Sequence, residues 1–151
     1  NTGMMMLVIP VMPMFAIIGD SWLRRRTWIA LSMFLLAIVA WPIYAWMLGS
    51  GGSLTAVIAS HALVFLLLAV PLGSAPALFV ELFPESDRLS GYSLAFNLGL
   101  GVFGGLTPMI ATALTATTEL STAPAVYLAI TAFIAVLSLM LMPDRSREPL
   151  R

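Results

Sequence analysis

The chain has 151 residues, 60% hydrophobic and 9% charged, with a formal net charge of zero. A soluble domain carries about 25% charged residues, so at a mean hydropathy of +1.01 the bilayer is the expected solvent. Zero net charge argues against a nucleic-acid partner, the lack of cysteine removes disulfides and thiolate metal sites, and His61 as the single histidine rules out a His-rich metal cluster.

Asn1, Thr2 and Gly3 lead directly into apolar sequence, with no basic n-region or small-residue cleavage site of a signal peptide. Such a start suggests the tail of something longer. Five apolar segments follow, roughly 3–19, 28–48, 54–80, 90–116 and 122–142, against the ~20 residues a helix needs to cross a hydrocarbon core of ~30 Å. None shows the two-residue alternation of a membrane barrel strand, so the expected fold is an all-α membrane protein of five transmembrane helices.

The gap after the first segment holds Arg24, Arg25 and Arg26, the gap after the third holds Arg88, and the tail holds Arg145, Arg147 and Arg151. The gaps at residues 49–53 and 117–122 hold no basic residue. This alternation puts the arginine gaps and the C-terminus in the cytoplasm, with Asn1, the 49–53 loop and Glu119 outside. Trp28 and Trp46 bracket the second segment, about 27 Å apart at the helical rise, while Trp22, Tyr92 and Tyr127 also fall near span ends, where amphipathic rings prefer to sit.

The second and fifth segments are almost uniformly apolar and are expected to face lipid. The fourth carries Ser93, Asn97, Gly99, Gly101, Gly104, Gly105, Thr107 and Pro108, which predicts an interior helix because lipid cannot satisfy polar groups. The first and third are interrupted by Pro10 and Pro13, and by Pro71, Gly73 and Pro76, as in bent helices that line a transport path.

Gly99-x-Gly101-x-x-Gly104 matches a dinucleotide fingerprint literally, but no strand precedes it, so close packing of helices through Gly101 and Gly105 is the better reading. His61 is the one ionisable residue inside a span, about 10 Å from the start of the third, and Asn97 is the other strongly polar one. Each is a candidate for the substrate or proton path, set against a plain hydrogen bond within or between helices. Asp20, Arg24 and Arg25 in one arginine gap and Glu81, Glu85, Asp87 and Arg88 in the other form either ordinary loop charge or an ion-pair latch, while Arg26 and the tail arginines read as orientation signals. No paired intramembrane carboxylates, HExxH or activated serine is present, so neither an enzyme nor a cofactor is expected.

At Glu81, Leu82, Phe83 and Pro84, then Arg88, Gly91, Asn97 and the run Gly104, Gly105, Leu106, Thr107 and Pro108, the sequence resembles the C-terminal end of a major facilitator superfamily transporter of the metabolite:proton symporter family. That family includes proline/betaine, alpha-ketoglutarate and citrate transporters. The resemblance covers the whole chain and implies that the five spans correspond to the eighth through twelfth of twelve. It also implies a bacterial inner membrane, a small organic solute and a proton as partners, and a missing N-terminal half without which the chain does not transport. The family signature between its eighth and ninth spans, roughly G-x-x-S-D-R-x-G-R-R, is matched at Asp20, Arg24 and Arg25. It is broken at Ser21, where an Arg is usual, and at Leu23, where a Gly is usual. By resemblance Asp20, Arg24, Arg25, Glu81 and Arg88 form a cytoplasmic gate, and Gly101, Gly104, Gly105 and Pro108 a packing and hinge element. The ninth and twelfth helices of the fold are peripheral, in keeping with the two most apolar spans. A stand-alone five-helix scaffold and a facilitator of another family, such as a sugar porter, are the competing readings.

Overall fold

The computed structural model describes residues 2–21 and 24–143; the side chains at positions 2, 4, 5, 7, 8, 20 and 21 lie outside that description. Its elements are α1 (Thr2–Ser21), α2 (Arg25–Gly49), α3 (Leu54–Val80), α4 (Arg88–Asn97), a π-helical segment (Leu98–Gly104), α5 (Gly105–Thr118) and α6 (Ala123–Leu141). The described residues contain no strand. Arg25–Gly49, Leu54–Val80, Arg88–Thr118 and Ala123–Leu141 are each long and apolar enough to cross a membrane, and α1 contributes the shorter apolar stretch Ile9–Gly19.

The ends of the helices have local causes. Between α2 and α3 the chain turns through Gly51 and Gly52, both at positive φ (63° and 86°), which glycine adopts without steric cost. α5 stops at Glu119, whose left-handed φ of 56° occupies the position where glycine usually ends a helix.

Packing is centred on α2, which touches α1, α3 and α6. Its buried residues Ile29, Met33, Leu36 and Ala40 are spaced by three or four, so they share one face. That face meets Leu78 of α3 and Ala132, Val136 and Leu139 of α6 in the core. The opposite face of α2, with Leu31, Phe34, Leu35, Ile38 and Trp41, is exposed, as are Ile130, Phe133, Ile134 and Leu137 of α6.

Within this chain, burial does not follow the expected division into lipid-facing and interior spans. The second and fifth spans present apolar residues outward, but each also supplies one face of the core. The fourth span, Arg88–Thr118, has no buried residue along its apolar length. It touches α3 through α4 and α6 through α5, and is otherwise uncovered. The physical reason is that sequence polarity records what a helix is suited to meet, whereas burial records which neighbours the chain supplies.

Candidate functional site

Glycine packing occurs where the GxxxG reading did not place it. Nothing lies within 4 Å of a Cβ built at Gly99, Gly101 or Gly105, and at Gly104 only the Leu100 side chain approaches, at 3.7 Å. The close approach is on α3 instead: a Cβ at Gly73 would collide with the backbone carbonyl of Met12 on α1. At Gly19 a Cβ would stand 2.8 Å from the Trp28 ring, whose Nε1 donates to the Phe15 carbonyl at 3.1 Å. The run Gly73-Ser74-Ala75 was the available signal for this contact, because small consecutive residues let backbones meet.

The glycines of the fourth span coincide with its π-helical segment. A π-helix is rare, occurs mostly as single-turn bulges and is frequent at functional sites. Here it runs for 7 residues, Leu98–Gly104. Three glycines with no side chains to pack weaken the α preference, and Pro108 lacks the N–H that would bond the Gly104 carbonyl. Gly101 and Gly104 thus sit inside a change of helical pitch, with Gly105 and Pro108 directly after it.

Asn97 is the last residue before that segment. It is exposed, and its Nδ2 donates to the Ser93 carbonyl at 2.7 Å, which leaves Oδ1 and the second amide hydrogen available to a ligand. The threonines of the same span behave alike: Thr107 donates to Phe103 at 3.0 Å and Thr112 to Pro108 at 2.8 Å. Asn97 and these threonines are thus satisfied on their own helix.

His61 lies on α3 with Nδ1 bonded to the Val57 carbonyl at 2.8 Å. It lines a partly open cavity of about 300 Å³ between α2, α3 and α6, with Tyr44, Ser60 and Phe65. His61 and Asn97 do not meet. Counting at 1.5 Å per residue from the arginine end, Val80 back to His61 is about 29 Å and Arg88 on to Asn97 about 14 Å. One small solute cannot touch both side chains at once.

At the arginine end, Arg25 and Glu81 form an ion pair between the start of α2 and the residue capping α3. Their side chains are only 20% and 11% exposed, so the pair is largely withdrawn from solvent. Arg26, read from sequence as an orientation signal alone, has a second role: its Nη1 donates to the Met142 carbonyl at the end of α6, at 2.7 Å. Two adjacent arginines thus hold the C-terminal ends of two different helices, where a cation also favours the helix dipole. Arg24 precedes α2 in extended conformation and Arg88 opens α4. The Asp20 side chain and the three tail arginines lie outside the described residues. A second, larger cavity of about 420 Å³ lies beside this end, lined by Phe79, Phe83, Tyr92, Phe96 and Gly99, and so connects the gate region with the start of the π-helical segment.

No protein-family model and no solved structure matches the chain. Curated proteins do. The chain is 33% identical over 110 residues to the ectoine/proline transporter ProP of Corynebacterium glutamicum, which covers 70% of this chain and 21% of that protein. It is 29% identical over 140 residues to a citrate-proton symporter of Klebsiella pneumoniae, covering 93% of this chain and 31% of the relative. A citrate-proton symporter of Salmonella typhi is 32% identical over 105 residues, 68% of this chain and 23% of its own length. The chain therefore spans between a fifth and a third of the length of the curated relatives it matches.

Proposed function

We propose, since the chain belongs to the proton-coupled solute symporters of the major facilitator superfamily, that it acts as the C-terminal portion of such a symporter and moves a small organic solute with a proton by alternating access. The observation that carries this reading is the fourth span. No residue of its apolar length is fully buried, and the stretch from Leu94 to Met109 is exposed throughout, although the span concentrates Ser93, Asn97, Thr107 and the glycines. Lipid gives such a surface no partners, whereas a water-filled path or a facing domain does. The N-terminal half of the transporter is the partner that fits it. Gly101, Gly104, Gly105 and Pro108 then serve as the hinge and sliding surface of that helix.

In this reading Asn97, facing the uncovered side next to the π-helical segment, contacts the solute. His61, about 15 Å away in depth, belongs to the proton path at a separate level. Asp20, Arg24, Arg25, Glu81 and Arg88 form the gate at the cytoplasmic end, and the C-terminus lies on that side of the bacterial inner membrane. The Arg25–Glu81 pair supports the gate, since it links the two helix ends that border the arginine gaps. The names of the relatives point to a carboxylate or a zwitterion such as proline or ectoine. No arginine or lysine lies within the five apolar segments 3–19, 28–48, 54–80, 90–116 and 122–142, so the cation for a carboxylate substrate comes from the other half.

The test is uptake of labelled citrate, proline and ectoine into vesicles with an imposed proton gradient. The protein carrying both halves is expected to accumulate one of them, and this chain alone none. Asn97→Ala is expected to lower uptake at least tenfold; unchanged uptake and unchanged pH dependence would remove Asn97 from the solute path. The same result for His61→Ala would remove His61 from the proton path.

A further inference from the structure

The π-helical segment Leu98–Gly104 adjoins only α4 and α5, which flank it in the chain, and packs on no other helix among the described residues. The helix before it is loosely held. No residue of α4 is buried, and Tyr92 and Phe96 look across the cavity of about 420 Å³ at Phe79 and Phe83. α5, after it, packs along α6. Each α-helical residue advances the chain by about 100° and 1.5 Å, whereas a π-helix closes its hydrogen bonds from i to i+5. The segment therefore holds about one residue more than an α-helical ladder of the same reach. Winding it into α geometry, with α5 held in place, shifts α4 by that one residue. The helix is right-handed and tightens in the process, so the sense of the shift is fixed: Asn97 arrives where Phe96 now stands, and Leu98 where Asn97 stands.

Those two places differ. Phe96 borders the cavity, whereas Asn97, about 100° further round the helix, is exposed. We propose that the fourth span has two registers, π and α, and that exchange between them is the hinge motion of the transport cycle. In the π register Asn97 is presented to the solute; in the α register it is withdrawn into the aromatic cavity beside Phe79. The use of the exchange rests on the solute reading of Asn97; its geometry does not. Composition keeps the two registers close in stability. Gly99, Gly101 and Gly104 weaken α geometry, and Pro108 lacks the N–H that the Gly104 carbonyl would receive in an α-helix. The exchange also reaches the arginine end. It carries Tyr92 to the place of Gly91, where a Cβ would already stand 2.5 Å from the Phe83 ring. Phe83 then has to move, and Glu81 lies two residues away in the same loop. Presentation of Asn97 and the state of the Arg25–Glu81 pair thus respond to one motion.

The chain has no cysteine, so introduced pairs report without background. The full chain in bilayer nanodiscs carries Phe79→Cys with either Phe96→Cys or Asn97→Cys, and a short bifunctional thiol reagent bridges each pair. With the segment unmutated, the pair at 79 and 96 is expected to bridge in preference to the pair at 79 and 97. Gly99→Ala, Gly101→Ala and Gly104→Ala together favour α geometry. They add no clash, since a Cβ at Gly99 or Gly101 meets nothing and one at Gly104 meets only Leu100, at 3.7 Å. This triple variant is expected to lower the ratio of the first bridge to the second at least about fivefold, the worth of one glycine-to-alanine exchange in a helix. Deletion of Gly101 removes the surplus residue and is expected to keep the preference for the pair at 79 and 96. In the protein carrying both halves, the triple variant and the deletion each hold one register, and both are expected to lose uptake of labelled citrate, proline and ectoine. An unchanged bridging ratio in the triple variant overturns the two registers. Uptake that survives deletion of Gly101 overturns the part of the exchange in transport. A lowered ratio beside an Asn97→Ala protein with normal uptake removes the solute contact and leaves the two registers standing.

Discussion

The hydroxyl of Ser32 on α2 donates to the backbone carbonyl of Leu67 on α3. Leu67 is four residues before Pro71, which has no N–H to offer it, so Ser32 supplies from a neighbouring helix the donor that proline removes. Ser32 is itself buried, and neither group has water to turn to. One interhelical bond therefore accommodates the proline bend and joins α2 to α3.

Ser32→Ala is expected to destabilise the chain by about 1 kcal/mol, within the ~0.6–1.7 kcal/mol of hydrogen bonds between membrane helices. Adding Pro71→Ala to that variant restores an N–H for Leu67 and is expected to recover most of the loss. Unfolding in mixed detergent micelles measures both. Additive effects of the two substitutions would rule out the repair role.

Gly73→Ala is expected to push α1 from α3 and cost about 1–3 kcal/mol, because the new methyl meets the Met12 carbonyl, a backbone atom that cannot rotate away. Gly101→Ala meets nothing and is expected to change the stability of this chain by less than about 0.5 kcal/mol. In the protein carrying both halves, the same Gly101→Ala is expected to slow uptake if a facing domain covers it. The contrast between these two readouts separates packing inside the chain from packing against its partner.

The Arg25–Glu81 pair is accessible to a double-mutant cycle with Arg25→Ala and Glu81→Ala. Its partial burial places the expected coupling at about 1–3 kcal/mol, above exposed surface pairs and below fully buried ones. The coupling is expected to persist at 0.5 M salt; a pair lost to screening would be a solvated contact with no gating value.

Arg26→Ala is expected to release the end of α6. Hydrogen exchange at residues 139–142 should accelerate while the middle of α6 stays protected, since a charged donor to a carbonyl is worth about 1.5–3 kcal/mol. Uniform protection along α6 would show that the helix end is held by apolar contacts alone.

The membrane character of the chain and its helices were legible in sequence because they follow from local quantities. Residues 54–80 stand out by apolar length, and α3 is Leu54–Val80. Asn97 and His61 stood out because polar groups are rare in apolar runs, but their separation in depth depends on the antiparallel course of two helices. Arg26 looked like an orientation signal because nothing in its neighbourhood announces Met142, which is 116 residues away. The partners of Gly73 and Ser32 were hidden for the same reason.

By itself the sequence determined the solvent, the helical fold and the polar character of the fourth span, since hydropathy and backbone hydrogen bonding act within one segment. The tertiary structure alone decided which faces meet. It put the core on α2, moved the close glycine contact to Gly73 and Met12, and left the fourth span uncovered. Lipid is as apolar as leucine, so hydropathy cannot rank one apolar face above another; shape and the few directed hydrogen bonds make that choice.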